Sequence, residues 1–141
     1  MDPELRAILL DIYARASTIA VVGASFDSRK AAHRIPLYLT QQGFTVIPVN
    51  PRGGTLFGVP VFASLAEVQQ PIDVVNVFRP APQTPPIAQA AVEAGAWCLW
   101  LQLGIESKEA QGIAEAGGLI TVMNECIGAD YAELGLGPPL H

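Results

Sequence analysis

Short runs of apolar and β-branched residues recur along this chain at a steady pitch, separated by stretches of helical periodicity. Five runs read as strands, at 18–23, 44–50, 73–78, 96–102 and 119–123. Their starts lie 26, 29, 23 and 23 residues apart, the pitch of repeating βα units. Several are apolar at consecutive rather than alternate positions, which suits parallel strands covered by helices on both faces.

The segments between the runs carry helix punctuation. Asp2 caps a first helix with Pro3 at its first position, and Leu5, Ile8, Leu9 and Ile12 form its apolar stripe. Ser64 with Glu67 fits a capping box. Thr84 and Pro85 open a helix with a stripe of Ile87, Ala90, Ala91 and Ala94, closed by Gly95, and Ser107 opens another that Gly117 ends. Pro36 cannot sit deep inside a helix, so the second helix is expected to start near Ile35 and to leave 24–34 as a long loop. Trp97 and Trp100 stand at odd spacing and are expected on opposite faces of their strand. The pattern predicts a single doubly wound, Rossmann-like α/β domain over 1–141. Its mostly parallel five-stranded sheet carries an extra N-terminal helix.

Composition narrows the function classes. The chain has 141 residues, 50% hydrophobic and 15% charged, which excludes a disordered polymer. A net charge of −5 argues against nucleic-acid or anionic-membrane binding, both of which need a basic field. No apolar run reaches the length of a membrane span, and the charged N-terminus does not resemble a signal peptide, so a cytoplasmic location is expected. Cys98 and Cys126 have no metal-ligand spacing, and no metal is expected.

Sheets of this class bind ligands beyond the carboxyl ends of their strands, near the point where strand order reverses. The loop after the first strand reads Gly23-Ala24-Ser25-Phe26-Asp27-Ser28-Arg29-Lys30. Gly23 permits a sharp turn, and small residues at Ala24 and Ser25 leave backbone amides open to a phosphate. The loop has neither the Gly-x-Gly-x-x-Gly nor the Walker A pattern, so an ordinary tight turn is the competing reading. The second strand ends in Asn50-Pro51-Arg52, with a cation where an NAD site has an acid. That suits a phosphorylated ribose, as in NADP or coenzyme A, or else a solvated arginine. The third loop, Phe78-Arg79-Pro80, again puts a cation past a strand, with Phe78 either against a base or pantetheine or in the core. Gln102 ends the fourth strand and either binds a pantetheine amide or caps the backbone. Five of the eight cations (Arg29, Lys30, Arg34, Arg52 and Arg79) fall on this one edge, which points to an anionic ligand.

At these residues the sequence resembles the stand-alone CoA-binding domain family, small Rossmann-like proteins related to the N-terminal domain of the succinyl-CoA synthetase α subunit. The matching pieces are Ile19-Ala20-Val21-Val22-Gly23-Ala24-Ser25, His33, Gly43-Phe44-Thr45-Val46-Ile47-Pro48-Val49-Asn50-Pro51, Asp73-Val74-Val75-Asn76-Val77-Phe78-Arg79, Trp100-Leu101-Gln102-Leu103-Gly104-Ile105 and Cys126. The resemblance implies that Gly23, Ala24 and Ser25 cradle the CoA diphosphate. It implies that Asn50, Pro51 and Arg52 flank the adenosine and its 3′-phosphate, that Phe78, Arg79 and Pro80 line the next wall, and that Arg29 or Lys30 meets a phosphate. Many relatives carry a histidine after the cysteine, where this chain has Ile127-Gly128-Ala129-Asp130-Tyr131.

No catalytic constellation is legible. His33 is the histidine near the site, but no Ser/His/Asp arrangement surrounds it, and His141 ends the chain, where disorder is expected. Cys126 lies either within reach of the CoA thiol or in the core, and Cys98 reads as core. The leading expectation is a CoA- or acyl-CoA-binding module, non-catalytic by itself. Its alternatives are an NADP-binding oxidoreductase, the CoA-binding subunit of an acyl-CoA ligase with a partner chain, and a dimerising scaffold that forms a homo-oligomer.

Overall fold

The computed structural model describes residues 1–139, so the expectation for His141 falls outside the described residues. All five predicted runs form strands, trimmed at their ends: β1 (Thr18–Val22), β2 (Thr45–Val49), β5 (Val74–Val77), β6 (Cys98–Leu101) and β7 (Ile120–Val122). They make one parallel sheet in the order β2-β1-β5-β6-β7. Strand order reverses between β1 and β5, so that pair of carboxyl ends is the switch point of a doubly wound fold. A small antiparallel hairpin, β3 (Thr55–Leu56) and β4 (Val59–Pro60), was not anticipated from the sequence. Its turn puts both Phe57 and Gly58 at positive φ.

Side chains alternate across the sheet into two cores. On one face Ile19, Val21, Val74 and Trp100 pack with Leu9 and Ile12 of α1 (Pro3–Arg15), Leu39 of α2 (Ala31–Gln42), and Ile127 of α5 (Ile127–Leu134). On the other, Ala20, Val75, Val77, Leu99 and Leu101 meet Ala88 and Ala91 of α3 (Thr84–Glu93) and Ala110 and Ala114 of α4 (Lys108–Ala116). The small alanine surfaces let these last two helices lie close to the sheet. α5 is an element the sequence reading lacked. The Ser64–Glu67 pair produces only a 3-10 turn (Leu65–Glu67), and Glu67 accepts from the Ala63 amide rather than closing a capping box. Trp97 packs against the same core cluster as Trp100, because it lies ahead of β6 and outside the strand's alternation.

The second helix begins four residues before the expected start, at Ala31, and holds Pro36 inside it. The proline has no N–H to give to the Ala32 carbonyl. That carbonyl instead accepts from the Ser25 amide at 3.0 Å, so the long loop is tied to the helix at the place where the helix cannot bond itself.

At the opposite edge Asp73 clasps the sheet's entrance. Its carboxylate accepts from the amides of Ser17 and Thr18, the Ser17 hydroxyl and the Trp97 indole, at 2.9–3.1 Å. Burial alone would raise its pKa, but the amides, the indole and the hydroxyl together outweigh it and hold the carboxyl below its ordinary value. A carboxyl depressed in the folded state contributes stability that is present above the unfolded value of about 4 and is lost as pH falls through the folded one. Asp73→Ala is expected to cost on the order of 2 kcal/mol in urea unfolding at pH 7. The gap to the parent protein should narrow below a pH of about 4.

Candidate functional site

The chain leaves β1 through Gly23, at φ +92°, with its amide donating to the Val49 carbonyl. A Cβ built there would lie 2.7 Å from the Phe78 carbonyl oxygen and 2.8 Å from Arg79 Cδ. The loops that follow β1 and β5 therefore touch at a point that only glycine can occupy. Asn50 adds the loop after β2: its Nδ2 donates to the Ala24 carbonyl at 2.9 Å, and its Oδ1 accepts from the Arg52 amide at 2.9 Å.

Ser25 is held on three sides. Its amide is engaged by Ala32, its carbonyl accepts from His33 Nδ1 at 2.7 Å, and its hydroxyl accepts from the Asp27 amide at 3.0 Å. Of the two amides expected to be open, at Ala24 and Ser25, that of Ser25 is used, and so is that of Gly23. Among the described residues the amides without a hydrogen-bond partner in this loop are those of Ala24, Phe26 and Ser28, and those of Ala31 and Ala32 that open α2. Lys30 caps that helix without a side-chain bond, and its first turn carries no acid, so the end of the helix dipole is left for an anion.

Two cavities flank the contact. One, of about 300 Å³, is lined by Val22, Gly23, Val49, Pro51, Leu65 and Ile87, with Arg79. The other, of about 360 Å³, is lined by Ile35, Phe78, Pro80, Gln102, Ile105 and Cys126, again with Arg79. Arg79 thus belongs to both. Of the predicted residues, Gly23, Pro51, Phe78, Arg79, Pro80 and Gln102 line cavities. Ala24, Ser25, Asn50 and His33 line neither and hold the loops from behind, Ala24 as a fully buried core residue and His33 edge-on to Phe57.

The cations divide. Arg29 Nε and Nη2 donate to the two Asp27 oxygens at 3.0 Å, and the pair holds the Asp27 carboxyl below its ordinary value. Arg34 donates to the Arg29 carbonyl. Lys30, Arg52 and Arg79 make no ion pair among the described residues. The Arg52 guanidinium lies 4.0 Å over the Phe26 ring, which fixes the charge beside the first cavity's Pro51. Between the two candidates the resemblance left open, Lys30 is the one with its charge unspent.

Cys126, which the sequence leaves either near a ligand's thiol or in the core, stands at a cavity wall. It is half-buried, lines the second cavity and caps α5, its Sγ accepting from the Ala129 amide at 3.4 Å. The feature that the sequence pattern does not announce is the helix that Cys126 caps. Gly23→Ala is expected to destabilise the fold by on the order of 3 kcal/mol in urea unfolding, from the positive φ and the Phe78 contact together.

Comparison with known proteins identifies the family and the fold. A family model described as a CoA binding domain matches residues 17–132. An uncharacterized protein of Bacillus subtilis (strain 168), YneT, is 35% identical over 132 residues, covering 94% of this chain and 98% of that protein. The structure of cell-free ID.343 from Thermus thermophilus superposes with a TM-score of 0.87 at 34% identity, covering 95% of this chain and 99% of that one. The fold also recurs in a dinucleotide-forming acetyl-coenzyme A synthetase 1 from Ca. Korarchaeum cryptofilum. There the TM-score is 0.69 at 23% identity, over 82% of this chain and 28% of that longer one. With its matched residues spanning β1 to α5 and so taking in every loop of the site, the chain belongs to the CoA binding domain family.

Proposed function

We propose that the protein binds coenzyme A or an acyl-CoA across the switch point and does no chemistry on it alone. The observation that carries this is the pair of cavities meeting at Gly23 and Arg79. A ligand with a nucleoside at one end, a diphosphate in the middle and a long arm at the other fits that division. The adenosine takes the cavity walled by Val49, Pro51, Leu65 and Ile87, and the diphosphate takes Arg79 with the unspent amides of Ala31 and Ala32 and the charge of Lys30. The 3′-phosphate takes Arg52, and the arm runs between Phe78 and Pro80 toward Gln102. His33 spends its Nδ1 on Ser25 and lines neither cavity, which favours a positioning role over acid–base work. Such a module serves to sense or carry CoA, or to present it to a separate ligase subunit.

Titration calorimetry tests the assignment. CoA is expected to bind about tenfold to a hundredfold more tightly than 3′-dephospho-CoA, and Arg52→Ala should abolish that difference, because a charge-assisted bond is worth about 1.5–3 kcal/mol. Arg79→Ala is expected to weaken both ligands alike. Tight NADP binding with no CoA binding would reject the reading.

A further inference from the structure

The second cavity contains a polar group that the fold aims and then leaves without a partner. Gln102 is 5% exposed at the end of β6. Its Oε1 accepts from Asn76 Nδ2 and from the Ile127 amide, both at 3.3 Å, and these two donors fix which way round the carboxamide sits. Its Nε2 has no hydrogen-bond partner among the described residues, and it is not one of the sealed-off buried atoms. A carboxamide so anchored presents an N–H₂ group to the cavity it lines. Only an acceptor brought by a ligand or water can satisfy it.

Apart from Arg79, on the side shared with the first cavity, the walls around this donor are apolar: Ile35, Phe78, Pro80, Leu103 and Ile105, with the Cys126 thiol beside them. Leu103 is 64% exposed, a large apolar side chain at the rim with nothing over it. An oriented carboxamide N–H donor among apolar walls, away from the phosphate-facing Arg79, calls for a carbonyl oxygen carried on a hydrocarbon group. A free thiol supplies neither the acceptor nor the apolar mass.

We infer that this cavity receives the acyl group of a short-chain acyl-CoA, with Gln102 Nε2 donating to the thioester carbonyl, so that the protein distinguishes acyl-CoA from CoA. The inference rests on the CoA reading above and adds the class of ligand to it. The amide carbonyls of pantetheine offer the same acceptor chemistry, and the experiment separates the two sources.

Calorimetric titration of the protein with CoA, butyryl-CoA and S-butyl-CoA, a thioether that lacks only the carbonyl oxygen, isolates the contact. Butyryl-CoA is expected to bind roughly three- to tenfold more tightly than S-butyl-CoA, the range of one hydrogen bond. Both should exceed CoA because the chain buries apolar surface. Gln102→Leu should bring butyryl-CoA and S-butyl-CoA to the same affinity. Equal binding of the two by the parent protein overturns the inference and leaves the CoA reading standing. A uniform loss for all three ligands in Gln102→Leu places the contact on the pantetheine arm and also overturns it. Absence of binding by CoA and both analogues removes the CoA reading, and this inference with it. Because Gln102→Leu strips Asn76 and Ile127 of a partner and threatens folding, Ile105→Trp is the second variant. Filling the wall should bring butyryl-CoA down to the affinity of CoA, and an undiminished butyryl preference counts against the proposal.

Discussion

The contact between the loops that leave β1 and β5 governs the carboxyl edge of this sheet. At Gly23 the backbone of one loop lies so near the Phe78 carbonyl and the Arg79 stem that no side chain fits between them. Parallel strands on either side of a reversal normally splay their loops apart and leave a crevice. Here the crevice is pinched at its middle into two cavities, and the pinch carries an arginine common to both. On the proposed function, a bipartite ligand is read at two ends and gripped between them. The division arises from a backbone constraint that no surface substitution can supply.

The loop that makes the contact is held by atoms that other elements could not use. Pro36 deprives the Ala32 carbonyl of its helical partner, and the Ser25 amide takes it. His33 and Asp27 occupy the serine's carbonyl and hydroxyl, and Asn50 spans from the Ala24 carbonyl to the Arg52 amide. These polar atoms are satisfied within the protein, so the loop is fixed by the fold itself. What is left over is selective: the amides at the start of α2, and the charges of Lys30, Arg52 and Arg79. Arg29 is spent on Asp27, which shows that a cation's position in a loop does not by itself make it available.

The sheet was legible because consecutive β-branched residues at a regular pitch leave few alternatives. Three features were not. The hairpin around Phe57 and Gly58 has strands of two residues each, too short for any period. α5 has a Cys126 cap and a glycine in its first turn in place of the usual start signals, so nothing announced it. The start of α2 was misplaced because a proline inside a helix is costly only when the carbonyl it abandons stays unpaired, and the loop that pairs it is remote in sequence from the rule that predicts the break. For the site, residue types and strand ends point to the cavity residues Gly23, Phe78, Arg79 and Gln102, and the resemblance adds Pro51 and Pro80. They did not distinguish lining from support, since Ser25, Asn50 and His33 carry the same polar chemistry turned toward the backbone.

The polar pair beneath the second cavity shows where the fold departs from its own packing logic. Asn76 sits on the central strand β5, fully buried among Val74, Val75 and Val77, and its Oδ1 has no hydrogen-bond partner among the described residues. An apolar residue there would avoid a desolvation cost of roughly 1–3 kcal/mol. Asn76 Nδ2 nonetheless reaches Gln102 Oε1, and the Ile127 amide at the start of α5 reaches the same oxygen. The arrangement gives up core stability to fix the orientation of one carboxamide at the sheet's edge. Such a sacrifice is what a binding site requires and a packing core does not. It ties the register of β5, β6 and α5 to the direction of a single donor at the cavity wall.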